Sequence, residues 1–208
     1  MTQTAKLAIW IILFVLIVIF FAVWIFYGPF KRWYTRKDPR KAYYHKIRSI
    51  ADLRDYYLIN EFYLFLKEKS SIRIDHLLAG DKYVYLIFDY YFSGAMDANA
   101  IDDYWLYHRA DGTKERIPNP IHEAETMLGR FSLRCQIPSD LLVAIVLIND
   151  DCFFTPFKNE EKAPTLVPIS KLGKVIASYE GRDIKPLSRG ELAQVIKKLA
   201  AMKEKENA

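Results

Sequence analysis

Hydrophobic and polar positions divide this chain into two regimes. Residues 7–27 read LAIWIILFVLIVIFFAVWIFY without a single charge. A helix rises about 1.5 Å per residue, so the run matches the roughly 30 Å hydrocarbon core of a bilayer. Trp10 stands near one end and Trp24, Tyr27, Trp33 and Tyr34 near the other, where interfacial aromatics belong. A cleaved signal has a shorter apolar stretch, about 7–15 residues, and a small-residue cleavage site. Here bulky residues and Gly28-Pro29 follow. The pattern predicts a retained transmembrane helix at 7–27, preceded by a short tail at 1–6.

Beyond it the pattern is that of a water-soluble chain. Residues 28–48 read as a basic juxtamembrane linker, with Pro39 breaking any early helix. In 50–69, Leu53, Tyr57, Leu58, Phe62, Phe65 and Leu66 recur at helical spacing, which predicts a helix. Ile72, Ile74 and His76 alternate with Arg73 and Asp75, which predicts a strand. After the turn residues Gly80-Asp81-Lys82, the run YVYLIFDYYF at 83–92 is almost continuously apolar, as in a central strand. A short strand is expected at 104–108. Pro118-Asn119-Pro120 then opens a helix over 121–133. LLVAIVLIN at 141–149 predicts a buried strand too short to cross a membrane as a helix. Residues 158–164 form a polar loop, and 167–179 is mixed. Ser188 with Glu191 fits a capping box and opens a closing helix to about Lys203. The order predicts an α/β domain over 49–185 with a mixed sheet flanked by helices, followed by an amphipathic helix and tail at 186–208.

Charge changes the picture by where it sits. The formal net charge is +5. Lys31, Arg32, Arg36, Lys37, Arg40 and Lys41 cluster after the apolar run, against one acid, Asp38. Residues 42–208 carry 23 Lys/Arg and 24 Asp/Glu, so the folded part is almost neutral. By the positive-inside rule the cluster places everything after Gly28 in the cytoplasm, at the cell membrane. It also predicts attraction to the lipid bilayer through anionic headgroups, about 1 kcal/mol per residue near the surface. A nucleic-acid interface needs a basic stripe on the domain itself, which the composition does not supply. Cys135 and Cys152 are too few for a disulfide scaffold. The histidines lack paired spacing for zinc, glycines occur singly rather than as a phosphate loop, and no serine has a Gly-x-Ser-x-Gly context. Asp97, Asp102 and Asp103 form an acidic loop without EF-hand spacing. No small-molecule cofactor is expected.

Four features, taken in order, resemble the nuclease-related domain (NERD) family, a branch of the restriction-endonuclease-like superfamily. Ile74-Asp75-His76-Leu77 is similar to that family's Ile-Asp-His-hydrophobic signature on its second core strand. Phe92-Ser93-Gly94 matches its aromatic-Ser-Gly strand ending, Trp105 its tryptophan, and Asn119-Pro120-Ile121 its Asn-Pro-hydrophobic helix opening. The similarity runs over about 50–180. It implies a restriction-endonuclease-like sheet. In an active member it also implies an Asp on one strand and Glu-x-Lys on the next, binding Mg²⁺ and activating water.

Asp75 fits the first acid. The Glu-x-Lys slot, counted back from Gly94, reads Phe88-Asp89-Tyr90. Side chains alternate along a strand, so Asp89 and Phe88 face opposite ways, and Asp89 joins Asp75 only if the strand is bulged. The Gly-Glu that opens the family's first helix is missing, and Glu61 is the nearest acid. The expectation is an inactive relative that binds or scaffolds at the membrane. Two alternatives stay open: an active Mg²⁺-dependent nuclease with Asp75 and Asp89 as catalytic and metal residues, and a structural subunit of a membrane complex. A partner of either kind, nucleic acid or protein, is not named by the sequence. His76, adjacent to Asp75, reads as a core or interface histidine. The tyrosines at 83, 85, 90 and 91 read as sheet packing rather than a base-stacking platform.

Overall fold

The computed structural model describes residues 3–65, 71–109, 111–154 and 164–206. It divides into two units, Met1–Ala42 and Tyr43–Ala208. The first is dominated by one helix, α1 (Gln3–Lys37). Within it Trp10–Phe30 is long and apolar enough to cross a membrane, and the stretch has no buried residue. The helix passes through Pro29 to Lys37, past the end expected at Gly28-Pro29. A proline removes only the bond from its own N–H, so helix can continue beyond it with a local distortion.

The linker expected at 28–48 is likewise helical. α2 (Pro39–Arg54) follows α1 after the single residue Asp38. Pro39 starts this helix rather than stopping it, because the first turn needs no N–H there. The Asp38 carboxylate caps it, accepting the Lys41 N–H at 3.2 Å. In the second unit, Tyr43, Ile47, Ile50 and Ala51 of α2 are buried at the helical spacing of one face.

The helix expected over 50–69 is overturned. α2 ends at Arg54, Asp55 takes a positive φ of 56°, and Tyr57–Phe65 is a strand, β1. It pairs antiparallel with β2 (Ser71–Ala79), which pairs antiparallel with β3 (Val84–Tyr90). A second layer holds β4 (Ala95–Asp97), β5 (Tyr104–His108) and β6 (Lys114–Pro118). The helix α3 (Pro120–Cys135) leads to β7 (Leu142–Ile148), parallel to β3. β8 (Phe153–Phe154) joins β4, and β9 (Thr165–Pro168) runs parallel to β7. The helices α4 (Leu172–Glu180) and α5 (Arg189–Glu206) close the chain. The polar loop expected at 158–164 lies, but for Pro164, outside the described residues.

Thus the α/β class holds, with two mixed sheets instead of one: β1-β2-β3-β7-β9 and β6-β5-β4-β8. The strand at 104–108 belongs to the second. The five-stranded sheet is buried on both faces. One face carries Phe62, Leu64, Leu86, Phe88 and Val146 against α3, α5 and the second sheet. The other carries Tyr85, Ile87, Ile145 and Leu147 against α2 and α4. That two-sided burial explains the unbroken apolar runs of β3 and β7. The capping box is present: Glu191 N–H donates to Ser188 Oγ at 3.2 Å, and Ser188 N–H donates to Glu191 Oε2 at 2.8 Å.

Candidate functional site

The resemblance directs attention to the ends of β2 and β3. Their ladder runs from Ala79–Val84 only as far as His76–Ile87. Beyond that point Asp75 serves the neighbouring strand with its side chain: Oδ2 accepts the backbone N–H of Asp89 at 2.9 Å. Its Oδ1 is paired with Arg73 at 3.0 Å, and the Arg73 guanidinium lies 5.9 Å from the centre of the Tyr63 ring. Both Asp75 oxygens are therefore engaged.

Asp89 points to the opposite face from Phe88, as alternation requires. Its carboxylate meets His76, with Oδ2 2.9 Å from Nε2. The other ring nitrogen, Nδ1, is 2.6 Å from Asn60 Oδ1. The side chains of His76 and Asp89 are only 7% and 12% exposed, so this is a nearly dry pair. Asp89 Oδ1 is buried with no hydrogen-bond partner among the described residues. Burial pushes the Asp89 carboxyl above its ordinary range, partly offset by the bond from His76.

His76 reaches Asp89 through a feature the alternation of Ile72, Ile74 and His76 conceals. Glu61 has a positive φ of 51°, and the pair Glu61–Asp75 drops out of an otherwise constant β1–β2 register. Ile59 and Leu77 on one side of this break, and Phe62, Leu64, Ile72 and Ile74 on the other, all enter the same core. The two strands change parity together, and His76 emerges on the face away from Ile72 and Ile74. Glu61, the nearest acid to the family's helix position, is an exposed strand residue at this break.

The remaining slot positions hold rings. Phe88 is buried in the core at 3% exposure. Tyr90 stacks on Phe92 with centroids 6.0 Å apart, and its hydroxyl donates to Glu123 Oε2 at 2.8 Å. Burial, the Glu123 bond and nearby negative charge raise the Tyr90 phenol far above its ordinary range, so it is a neutral donor. Glu123, in the first turn of α3, carries no motif and is not legible as a site residue in the sequence. Tyr43 of α2 donates to the Tyr90 carbonyl at 2.8 Å, and the Asn149 amide bonds both N–H and C=O of Phe92, each at 2.9 Å. This end of β3 is thus fastened from three directions.

The other matched motifs do structural work. Gly94 faces the His108 carbonyl so closely that a Cβ there would collide with it. Asn119 caps α3 by accepting the Ile121 N–H at 2.9 Å, and its amide donates to the carbonyls of Ala100 and Asp102 at 3.1 and 2.7 Å. The acidic loop is held by these bonds and by Asp97–His108 at 3.0 Å. Trp105 is buried and donates to the Asn99 carbonyl at 2.8 Å. In the basic cluster, Arg40 is exposed and Lys41 pairs with Asp38 at 3.0 Å, while the side chains of Lys31, Arg32, Arg36 and Lys37 lie outside the described residues.

A Mg²⁺ site of the nuclease type needs converging free carboxylate oxygens and a basic neighbour. These residues do not fit it. Asp75 is already bonded twice, Asp89 is taken up by His76, and the positions that the resemblance assigns to Glu and Lys hold the rings of Phe88 and Tyr90. Among the described residues no three His, Cys, Asp or Glu side chains are grouped so as to hold a metal. No protein-family model, curated protein or solved structure matches this chain.

Proposed function

We propose that this is a single-pass membrane protein whose folded unit is a NERD-like, restriction-endonuclease-like domain without nuclease chemistry, acting in binding or scaffolding at the cytoplasmic surface. The membrane part is supported by the apolar span Trp10–Phe30 and by the basic residues that follow it. The family part is supported by the four motifs and by the order helix, three antiparallel strands, helix, parallel strand, seen in α2, β1–β3, α3 and β7.

The single observation that carries the inactive reading is the division of the two acids. Asp75 is bound to Arg73 and to the Asp89 backbone, while the Asp89 carboxylate is bound to His76, so each acid is engaged with its own partner. The site spends its carboxylates on holding strand ends together. The test is cleavage of single-stranded DNA, duplex DNA and RNA by the full chain in detergent, with Mg²⁺ or Mn²⁺. The expected result is no metal-dependent cutting above a buffer control. Cutting that requires the metal and is lost in Asp75→Ala overturns the proposal in favour of the active nuclease.

A further inference from the structure

At the end of the five-stranded sheet where β3 and β7 begin, β7 has a neighbour on one side only. Its ladder with β3 is complete from Leu142, which lies opposite Val84. On the other side β9 joins at Ile145, opposite Thr165. The residue before Thr165 is Pro164, which has no N–H to carry the ladder further. Over Val143 and Ala144, the N–H and C=O that β7 turns to this side therefore have no strand partner among the described residues, although both residues are buried. Buried backbone groups of this kind call for a donor and acceptor row to meet them.

A cavity of about 500 Å³ lies along this edge, within the range of ligand pockets. Its walls come from both faces of the sheet. Tyr83, Val143 and Tyr179 line it from the side of α4, and Leu128, Leu142 and Ala144 from the side of α3. The cavity thus straddles the plane of the sheet, in the lane beside β7 that β9 does not reach. Its polar groups are unused. Tyr83 is only 4% exposed, yet its hydroxyl makes no hydrogen bond among the described residues. At the rim, the Arg182 guanidinium lies over the Tyr179 ring at 4.3 Å, and Asp140 is exposed. Neither side chain forms an ion pair among the described residues.

We propose that this cavity receives an extended peptide segment of a partner protein, which adds as a strand beside Leu142–Ala144. Three observations select a strand over a compact small molecule. The open edge of β7 needs donors and acceptors at strand spacing, which a peptide backbone supplies. Apolar walls above and below the sheet plane fit side chains that alternate between its two faces. Free charges of both signs at the rim suit one acid and one base flanking the apolar residues, and they disfavour a polyanion. The lane is three residues of β7, about 10 Å, in length. The segment recognised is therefore three consecutive β-formers between an acidic and a basic residue. The cavity is at the opposite end of β3 from Asp89, so the proposal goes beyond the reading of the two acids and stands apart from it.

The test is fluorescence polarisation of fluorescein-labelled Glu-Val-Ile-Val-Lys amide, titrated with the full chain in detergent and with detergent alone. The expected result is saturable binding that requires the protein. The same peptide N-methylated at its three apolar residues keeps the side chains but cannot pair, and it binds about tenfold or more weakly. Tyr83→Phe weakens binding about two- to tenfold and leaves the Tm unchanged, because the hydroxyl has no partner within the protein. Benzoylphenylalanine in place of the peptide's Ile cross-links to residues 139–144 or 179–184, read by mass spectrometry. Absence of saturation up to about 1 mM overturns the proposal. So does equal binding of the N-methylated peptide, indifference to Tyr83→Phe, or cross-linking confined to other segments. None of these readouts depends on the anchor or on the nuclease residues, so failure here leaves the proposed function standing.

Discussion

Replacing Asp89 separates a structural carboxylate from a metal ligand. Metal-binding acids are held close to one another, so removing one relieves repulsion and commonly leaves the apo fold as stable or more stable. Asp89 feels the Asp75 charge too, but its own carboxylate is bonded to His76 and both of those side chains are almost fully buried. Breaking a buried pair by removing one partner costs about 3–5 kcal/mol, and a hydrogen bond to a charged group about 1.5–3 kcal/mol. Burial already disfavours the ionised Asp89. The lower end of these ranges therefore applies, about 2–3 kcal/mol for Asp89→Ala and about 1 kcal/mol for Asp89→Asn, which keeps an acceptor for His76. At about 2–4 °C per kcal/mol for a chain of this size, Asp89→Ala lowers the Tm by about 4–12 °C. Because the folded pKa is raised, the cost of ionising Asp89 is absent below the ordinary carboxylate range, grows as pH rises from that range to the folded value, and is full above it. The gap between wild type and Asp89→Asn therefore narrows as pH rises above the ordinary carboxylate range. The assay is thermal unfolding of the full chain in detergent, with His76→Gln and the double variant completing a cycle. Coupling of 1 kcal/mol or more supports the reasoning. An Asp89→Ala protein as stable as wild type, or zero coupling, refutes it.

Three further outcomes follow from the same packing. Gly94→Ala drives a methyl into the backbone carbonyl of His108 and costs about 2–3 kcal/mol in unfolding, whereas Gly129→Ala, with open space around it, stabilises α3 by up to about 1 kcal/mol. Asn149→Ala strands both backbone groups of Phe92 and lowers stability by about 2–3 kcal/mol in the same melting assay. Burial raises the Cys152 thiol to about 11, so iodoacetamide labels it slowly in the native protein up to about pH 9 and rapidly once urea unfolds the chain; mass spectrometry of the modified peptide reads the difference.

Much of the fold was legible because its strongest elements obey one rule each. β3 and β7 are buried on both faces and read as continuous apolar runs. α3 begins at an Asn-Pro cap, and α5 at a Ser-x-x-Glu box. β1 was misread as helix for a reason located at Glu61. Its positive φ switches the faces of β1 and β2, so buried residues fall at 59, 62 and 64 on one strand and 72, 74 and 77 on the other. A spacing of three inside a strand imitates helical periodicity, and nothing in the residue types marks the switch. The same break hid the His76–Asp89 bond, because simple alternation puts His76 beside Ile72 and Ile74. The helix over 39–54 was missed because Pro39 reads as a breaker, whereas Asp38-Pro39 is a cap followed by a first-turn proline. The rings at Phe88 and Tyr90 were visible in the sequence, but their partners, the core and Glu123, depend on how α3 crosses the sheet.

The most direct measurement is Mn²⁺ binding to the full chain in detergent, followed by the electron paramagnetic resonance signal of the free ion. If Asp75 and Asp89 serve structure, the titration shows no saturable site tighter than about 1 mM, and Asp75→Ala leaves the curve unchanged. A single site of micromolar affinity that disappears in Asp75→Ala and in Asp89→Asn contradicts the account.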